Sequence, residues 1–163
     1  MKNIVFFLCL ISVSSFSQKN LKQLLKKYNT ESVPYITVSD LQKDSNTILL
    51  DARELKEFEV SHLKNAICVG YDFFSLKKTL QKLPKDKNSK IVVYCSLGIR
   101  SEDIAEQLQK AGYTNVFNLY GGIFEWKNQN NTVVNNQNKP TEKVHAFNKE
   151  WSKWLHKGEK IYE

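Results

Sequence analysis

The chain has 163 residues, of which 41% are hydrophobic, 25% charged and 12% aromatic, with six Gly, three Pro and three Cys. This excludes a collagenous, disordered or disulfide-stapled chain and points to one globular domain with appendages, long enough to bury a core. The net charge of +7 comes from 24 Lys and Arg against 17 Asp and Glu. Arg occurs only at Arg53 and Arg100, and the lysines are spread along the whole chain. The surplus therefore reads as a solvated surface, and no nucleic-acid partner is expected.

Residues 1–17 read as an export signal. Lys2 supplies a positive start, Ile4 to Val13 an apolar run, and Ser15-Phe16-Ser17 small residues at the positions that precede cleavage before Gln18. The run is shorter than the roughly 20 residues a bilayer span needs. The mature chain is thus expected to be periplasmic or secreted, without an integral membrane segment; a short N-terminal anchor is the alternative. Cys9 would leave with the signal, so Cys68 and Cys95 remain. Two cysteines make no disulfide framework, so an exported chain carrying them keeps a thiol for chemistry or buries it.

Residues 18–33 form an amphipathic segment. Leu21, Leu24, Leu25 and Tyr28 share one helical face, with Lys19, Lys22, Lys26 and Lys27 alongside. The segment is expected to pack as a short helix, or alternatively to lie on a membrane surface.

Residues 34–128 alternate short apolar runs with helical stretches. Ile36 and Val38 predict a first strand, and Ser39 with Gln42 a helix cap after it. Ile48 to Leu50, ending in Asp51, and Ala66 to Val69 predict two more strands. Phe73, Leu76, Leu80 and Leu83 mark one face of a helix that Pro84 stops. Ile91-Val92-Val93-Tyr94 is a β-branched run of the kind buried on both sheet faces. Ile104, Ala105, Leu108 and Ala111 predict the inner face of the next helix, ended by Gly112. Val116 to Leu119 is the last strand, and Gly121-Gly122 leads into a short helix carrying Trp126. Strands alternating in this way with helices predict an α/β fold with a mainly parallel sheet.

Residues 129–163 are expected to form an Asn-rich loop around Val133-Val134 and then a helix of about four turns. Val144, Phe147, Trp151, Trp154 and Leu155 give that helix a heavy apolar stripe. Exposed, the stripe would be an aggregation-prone patch, so it is expected to dock on the domain, with a partner as the alternative occupant. Trp126 and the tail aromatics are assigned to the core.

The chemistry is concentrated after the buried strand. Tyr94 delivers Cys95, followed by Ser96-Leu97-Gly98-Ile99-Arg100-Ser101 and a helix whose first turn carries Glu102 and Asp103. In an open parallel sheet, ligands bind at the carboxyl ends of strands. Gly98 allows the backbone to curl so that amide N–H groups point inward, and Arg100 adds a permanent positive charge. A free thiol with a pKa of about 8.5 is only about 3% thiolate at pH 7, and making it mostly thiolate takes a pKa drop of about two, or about 2.7 kcal/mol. A helix terminus supplies about 0.3–1 kcal/mol, so inward amides and Arg100 are needed as well. A merely structural Cys would not call for the Gly and Arg that follow it.

These residues resemble the rhodanese (sulfurtransferase) family. C-S-L-G-I-R-S at 95–101 is similar to that family's C-x-x-G-x-R-S loop. L-L-D-A-R-E at 49–54, S-H-L-K-N-A-I at 61–67 and G-G-I-F-E-W at 121–126 resemble three further signposts in the same order. The resemblance covers about residues 34 to 128 and departs from the family at Ser61 and Asn65, where Gly is common. It implies a three-layer rhodanese-like fold, with a central mainly parallel sheet of about five strands flanked by helices. It also implies Cys95 as the nucleophile, taking a sulfane sulfur from thiosulfate or a persulfide and passing it to a thiophilic acceptor. Ser96, Leu97, Gly98, Ile99, Arg100 and Ser101 would bind the substrate. Neither a metal nor a cofactor is required. The partners expected are a small-molecule donor and acceptor or a thiol protein, with the chain a monomer.

Four residues separate Cys95 from Arg100. The cysteine phosphatases resemble C-x5-R, with a wider cradle, so phosphatase activity is not favoured. Asp51 and Arg53 are expected to pair and to support neighbouring loops, with substrate contact as the alternative, and His62 to be a hydrogen-bonded structural residue, with a role as base as the alternative. Cys68 is expected to be buried and inert, with a resolving role toward Cys95 as the alternative. His145 and His156 carry no signal. Three functions remain: an exported sulfurtransferase, a sulfur-carrier or redox module serving a protein partner through the tail helix, and a phosphatase-like hydrolase.

Overall fold

The central sheet is built outward from its most apolar strand. The computed structural model describes residues 20–162, so the signal expected at 1–17 lies outside them. The chain divides after Glu31 into two units. In the first, residues 20–28 form helix α1. In the second, β4 (Ile91–Tyr94) is buried at every position because it has a neighbour on each side: β2 (Ile48–Asp51) and β5 (Val116–Leu119). β3 (Ile67–Cys68) joins beyond β2, and β1 (Tyr35–Ile36) beyond β5. The order is β1-β5-β4-β2-β3 with every pairing parallel, so the strands' carboxyl ends share one edge.

Alternation along β4 sends Ile91, Val93 and Cys95 to one face, where they join Ile104, Ala105 and Leu108 of helix α5 (Arg100–Lys110) in one core. Tyr94 projects from the opposite face, and its hydroxyl accepts the Leu63 N–H at 3.1 Å. Helices flank the sheet, giving the α/β architecture that the alternating pattern predicts.

Two predicted helix starts shift. Helix α2 (Val38–Gln42) begins one residue before Ser39, because Val38 and Leu41 are its buried pair; Thr37 caps it by accepting the Asp40 N–H at 3.1 Å. Helix α4 spans only Leu76–Leu80, capped by Ser75. Phe73 precedes that cap in a turn, lies out of phase with the apolar face and is 93% exposed rather than inward.

The tail departs furthest from expectation. Val133 and Val134 form β6, paired with β7 (Pro140–Thr141), and Val134 bridges His62 through two backbone hydrogen bonds of 2.8 and 2.9 Å. The four-turn helix does not form. Val144 belongs to β8 (Lys143–His145), which pairs in parallel with β9 (Glu159–Ile161), and only Trp151–Trp154 is helical, as a single 3-10 turn. Phe147 breaks the helical spacing: its φ of 65° is left-handed, a conformation that costs a bulky residue about 1–3 kcal/mol. The aromatics are not core either, since Trp126, Trp151 and Trp154 are half-buried and Phe147 is 44% exposed. Among the described residues no helix is long and apolar enough to cross a membrane.

Candidate active site

Cys95 leaves the carboxyl end of β4 into the turn that starts α5, with its side chain buried. Gly98 has a φ of 100°, and this bend brings its N–H onto the Cys95 Sγ at 3.2 Å. A Cβ at Gly98 would meet the Leu119 carbonyl at 3.1 Å. The Ser101 hydroxyl lies 3.5 Å from the same sulfur and 2.7 Å from Asn118 Oδ1, to which it donates. Asn118, on β5, donates in turn to the Gly98 carbonyl at 2.8 Å and so holds the bend.

The loop is also anchored from beneath. Helix α6 (Gly122–Asn128) directs the N–H groups of Ile123 and Phe124 at the carbonyls of Cys95 and Ser96, at 2.9 and 3.1 Å. A Cβ on Gly122 would fall 2.3 Å from the Cys95 carbonyl oxygen. The Gly121-Gly122 pair thus allows one backbone to press against another.

Burial pushes the Cys95 pKa up, and the loop more than reverses it: the Arg100 charge, the Ser101 hydroxyl and the amides of Ser101 and Gly98 hold the thiol below its ordinary value. The surroundings therefore shift the balance toward thiolate, the state in which sulfur is a nucleophile.

Arg100 does not point freely into the loop. Its Nη1 and Nη2 donate to the two carboxylate oxygens of Glu57, both at 2.8 Å, and Nη2 also donates to Ser96 Oγ at 3.2 Å. Glu57 sits in helix α3 (Leu55–Val60), and its carboxylate also accepts the Glu54 N–H, closing a capping box. Burial raises the Glu57 pKa, but the Arg100 hydrogen bonds and the charges of Arg100 and Arg53 outweigh it and hold it below the usual range. The Phe147 ring centroid lies 5.0 Å from the Arg100 guanidinium carbon. His145 Nδ1 is 4.0 Å from Glu57 Oε1 and accepts the Phe147 N–H at 3.2 Å.

Of the predicted site residues, Cys95, Ser96, Gly98, Arg100 and Ser101 come together, while Leu97 is buried and Ile99 half-buried beside them. Asp51, Arg53 and His62 make a separate framework. The fully buried Arg53 guanidinium pairs with Asp51 at 2.6 Å and donates to the Ser61 carbonyl at 2.7 Å. His62 stacks on Phe58 at 3.7 Å and hydrogen-bonds the Phe58 carbonyl. Cys68 is half-buried rather than buried, because β3 is an edge strand, and desolvation pushes its thiol up. Neither Cys68 nor Cys95 is in a disulfide. Glu57 and Asn118 were not singled out from the sequence, Phe147 was read only as part of the tail's apolar stripe, and His145 was given no role. Only Glu57 carried a signal, as the third residue after Glu54 in a helix-start pattern.

The parallel sheet with a cysteine loop at its carboxyl edge defines a class, and the family comparison agrees. A model described as the rhodanese-like domain matches residues 35–129, and the chain belongs to that family. It is 40% identical over 91 residues to the tRNA uridine(34) hydroxylase of Hamiltonella defensa, a match covering 55% of this chain and 26% of that protein. The enzyme of the same name from Erwinia tasmaniensis is 36% identical over the same length, with the same coverage. The chain thus spans about a quarter of the length of these curated relatives. Among solved structures, a rhodanese-related protein from Thermoplasma volcanium superimposes with a TM-score of 0.55 at 28% identity, covering 62% of this chain and 97% of that one. A thiosulfate sulfurtransferase from Pseudomonas aeruginosa gives 0.59 at 19% identity, covering 85% of this chain and 26% of that one, a likeness of fold alone.

Proposed function

We propose that the protein is an exported sulfurtransferase that carries a sulfane sulfur on Cys95. The observation that carries this reading is the buried sulfur with the Gly98 amide donating to it at 3.2 Å. A plain core cysteine has no use for inward donors, whereas a thiolate, and a persulfide after it, needs them. The Cys95 thiolate attacks the outer sulfur of the donor; the donor's S–S bond breaks, and its electron pair leaves with the rest of the donor. A thiophilic acceptor then attacks the outer sulfur of the Cys95 persulfide and returns the thiolate. The four-residue spacing between Cys95 and Arg100 supports sulfur over phosphate as the transferred group. The activity named for the longer relatives belongs to proteins of which this chain matches a quarter.

Export is proposed from residues 1–17, and mass analysis of the protein isolated from its own cells should then find Gln18 at the N-terminus. A donor and acceptor of small size, or a thiol protein, and a monomeric chain complete the proposal. Exposing the purified protein to thiosulfate and to cysteine persulfide, followed by intact-mass analysis, tests the chemistry. The expected result is a gain of one sulfur atom that cyanide removes and that Cys95→Ser abolishes. A sulfur gain that persists in Cys95→Ser, or no gain from either donor, would overturn it.

A further inference from the structure

We infer that Glu57 and Phe147 set the choice of sulfur donor, turning the site from inorganic thiosulfate toward organic persulfides, R–S–SH. The inference rests on the sulfur-transfer reading and concerns what the same loop accepts.

The Arg100 charge reaches the Cys95 sulfur but is shared with Glu57. Both terminal nitrogens are bound to the Glu57 carboxylate, which is itself only 1% exposed. Arg53, the other guanidinium in range, is matched by Asp51. Once Cys95 is ionised, the cluster of Cys95, Arg100, Glu57, Arg53 and Asp51 carries one negative charge in excess. Lys56 is exposed, so its charge is screened by solvent more than those of the buried cluster. Thiosulfate, a dianion, meets the whole of this excess where dielectric screening is weak, while an organic persulfide is at most a monoanion at its sulfur and reacts as a donor in its protonated, neutral R–S–SH form.

The rim matches the same class of donor. Phe147 lies over the guanidinium and remains 44% exposed. Ile99 is half-buried in the same loop. Phe147 is set there by the pairing of the tail: the Ala146 N–H donates to the Ile161 carbonyl at 2.7 Å, and the Phe147 N–H to His145 Nδ1. An aromatic ring over the cation offers contact to a carbon-bearing R group and nothing to a sulfonate.

The steps balance without another reagent. The Cys95 thiolate and R–S–SH give Cys95–S–SH and R–S⁻, the leaving thiolate taking the S–S electron pair and the proton staying on the transferred sulfur. An acceptor thiolate then takes that S–H unit and regenerates the Cys95 thiolate.

The test compares loading of Cys95 by thiosulfate and by cysteine persulfide, as kcat/KM from time-resolved intact mass, in the wild type, Glu57→Gln and Phe147→Ala. The wild type should favour the persulfide by about 100-fold. Glu57→Gln, which is isosteric, should raise thiosulfate loading relative to persulfide loading about tenfold and make thiosulfate loading steeply dependent on salt. Phe147→Ala, at a partly exposed position, should raise KM for the persulfide about threefold to tenfold relative to KM for thiosulfate. A wild type that prefers thiosulfate would overturn the inference. So would a donor ratio unchanged in both variants, or equal loss of both activities in Glu57→Gln, which would make Glu57 only a support for Arg100. If neither donor loads the wild type, the sulfur-transfer reading itself fails.

Discussion

Arg100 and Glu57 meet through two parallel hydrogen bonds of 2.8 Å, joining the start of the helix behind the cysteine loop to the middle of α3. Such a bidentate pair fixes the plane of the guanidinium as well as its position. It sets Arg100 beside Cys95 and at the same time draws on the charge that Arg100 supplies to the sulfur.

The pair should show in acid. Glu57 is held below the usual carboxylate range: burial works against this, and Arg100 and then Arg53 outweigh it. A carboxylate lowered by folding adds stability that is complete above its unfolded value and is lost as pH falls through the folded one. The stability gap between the wild type and Glu57→Gln, read from urea midpoints, should therefore narrow as pH drops below the ordinary glutamate value. Glu57→Ala, which strips Arg100 of its buried partner, should cost about 3 kcal/mol at neutral pH.

Gly122→Ala tests the seat of the loop. The added Cβ would collide with the Cys95 carbonyl at 2.3 Å, on a backbone with a φ of 55°. A loss of about 3 kcal/mol is expected in chemical unfolding, together with slower modification of Cys95 by sulfur donors. Gly112→Ala is the control: its φ is 94°, but no atom lies within 4 Å of the new Cβ, so only the backbone cost of about 1–2 kcal/mol should appear.

The Asp51–Arg53 pair is fully buried, with a 2.6 Å contact, and Arg53 also bonds the Ser61 carbonyl. Arg53→Met should cost about 3–5 kcal/mol, because it leaves the Asp51 charge without its partner. The double variant Asp51→Asn, Arg53→Met should recover part of that loss in a thermodynamic cycle measured by urea unfolding.

The parallel sheet and the cysteine turn were legible because each is written locally. Ile91-Val92-Val93 spells a doubly buried strand, and Cys95, Gly98 and Arg100 lie within one turn of chain. Glu57 was not, because its role depends on a contact 43 residues away. Asn118 escaped for the same reason: it reaches the Gly98 carbonyl from a neighbouring strand. The tail misled through spacing alone. Val144, Phe147 and Trp151 repeat at helical intervals, yet Val144 is drawn into pairing between β8 and β9 and Phe147 turns left-handed. Periodicity reports which residues are apolar, and a strand that pairs with a distant partner overrides it.

The loop's lowering of the Cys95 pKa is tested within one molecule by the ultraviolet absorbance of thiolate followed through a pH titration. Cys68 serves as the internal reference, since desolvation pushes its thiol up while the loop holds Cys95 down. Subtracting the titrations of Cys95→Ser and Cys68→Ser isolates each sulfur. Cys95 should ionise at a pH below an ordinary thiol and well below Cys68, and Arg100→Met should move it upward. Ionisation of Cys95 at or above the pH of Cys68 would contradict the account.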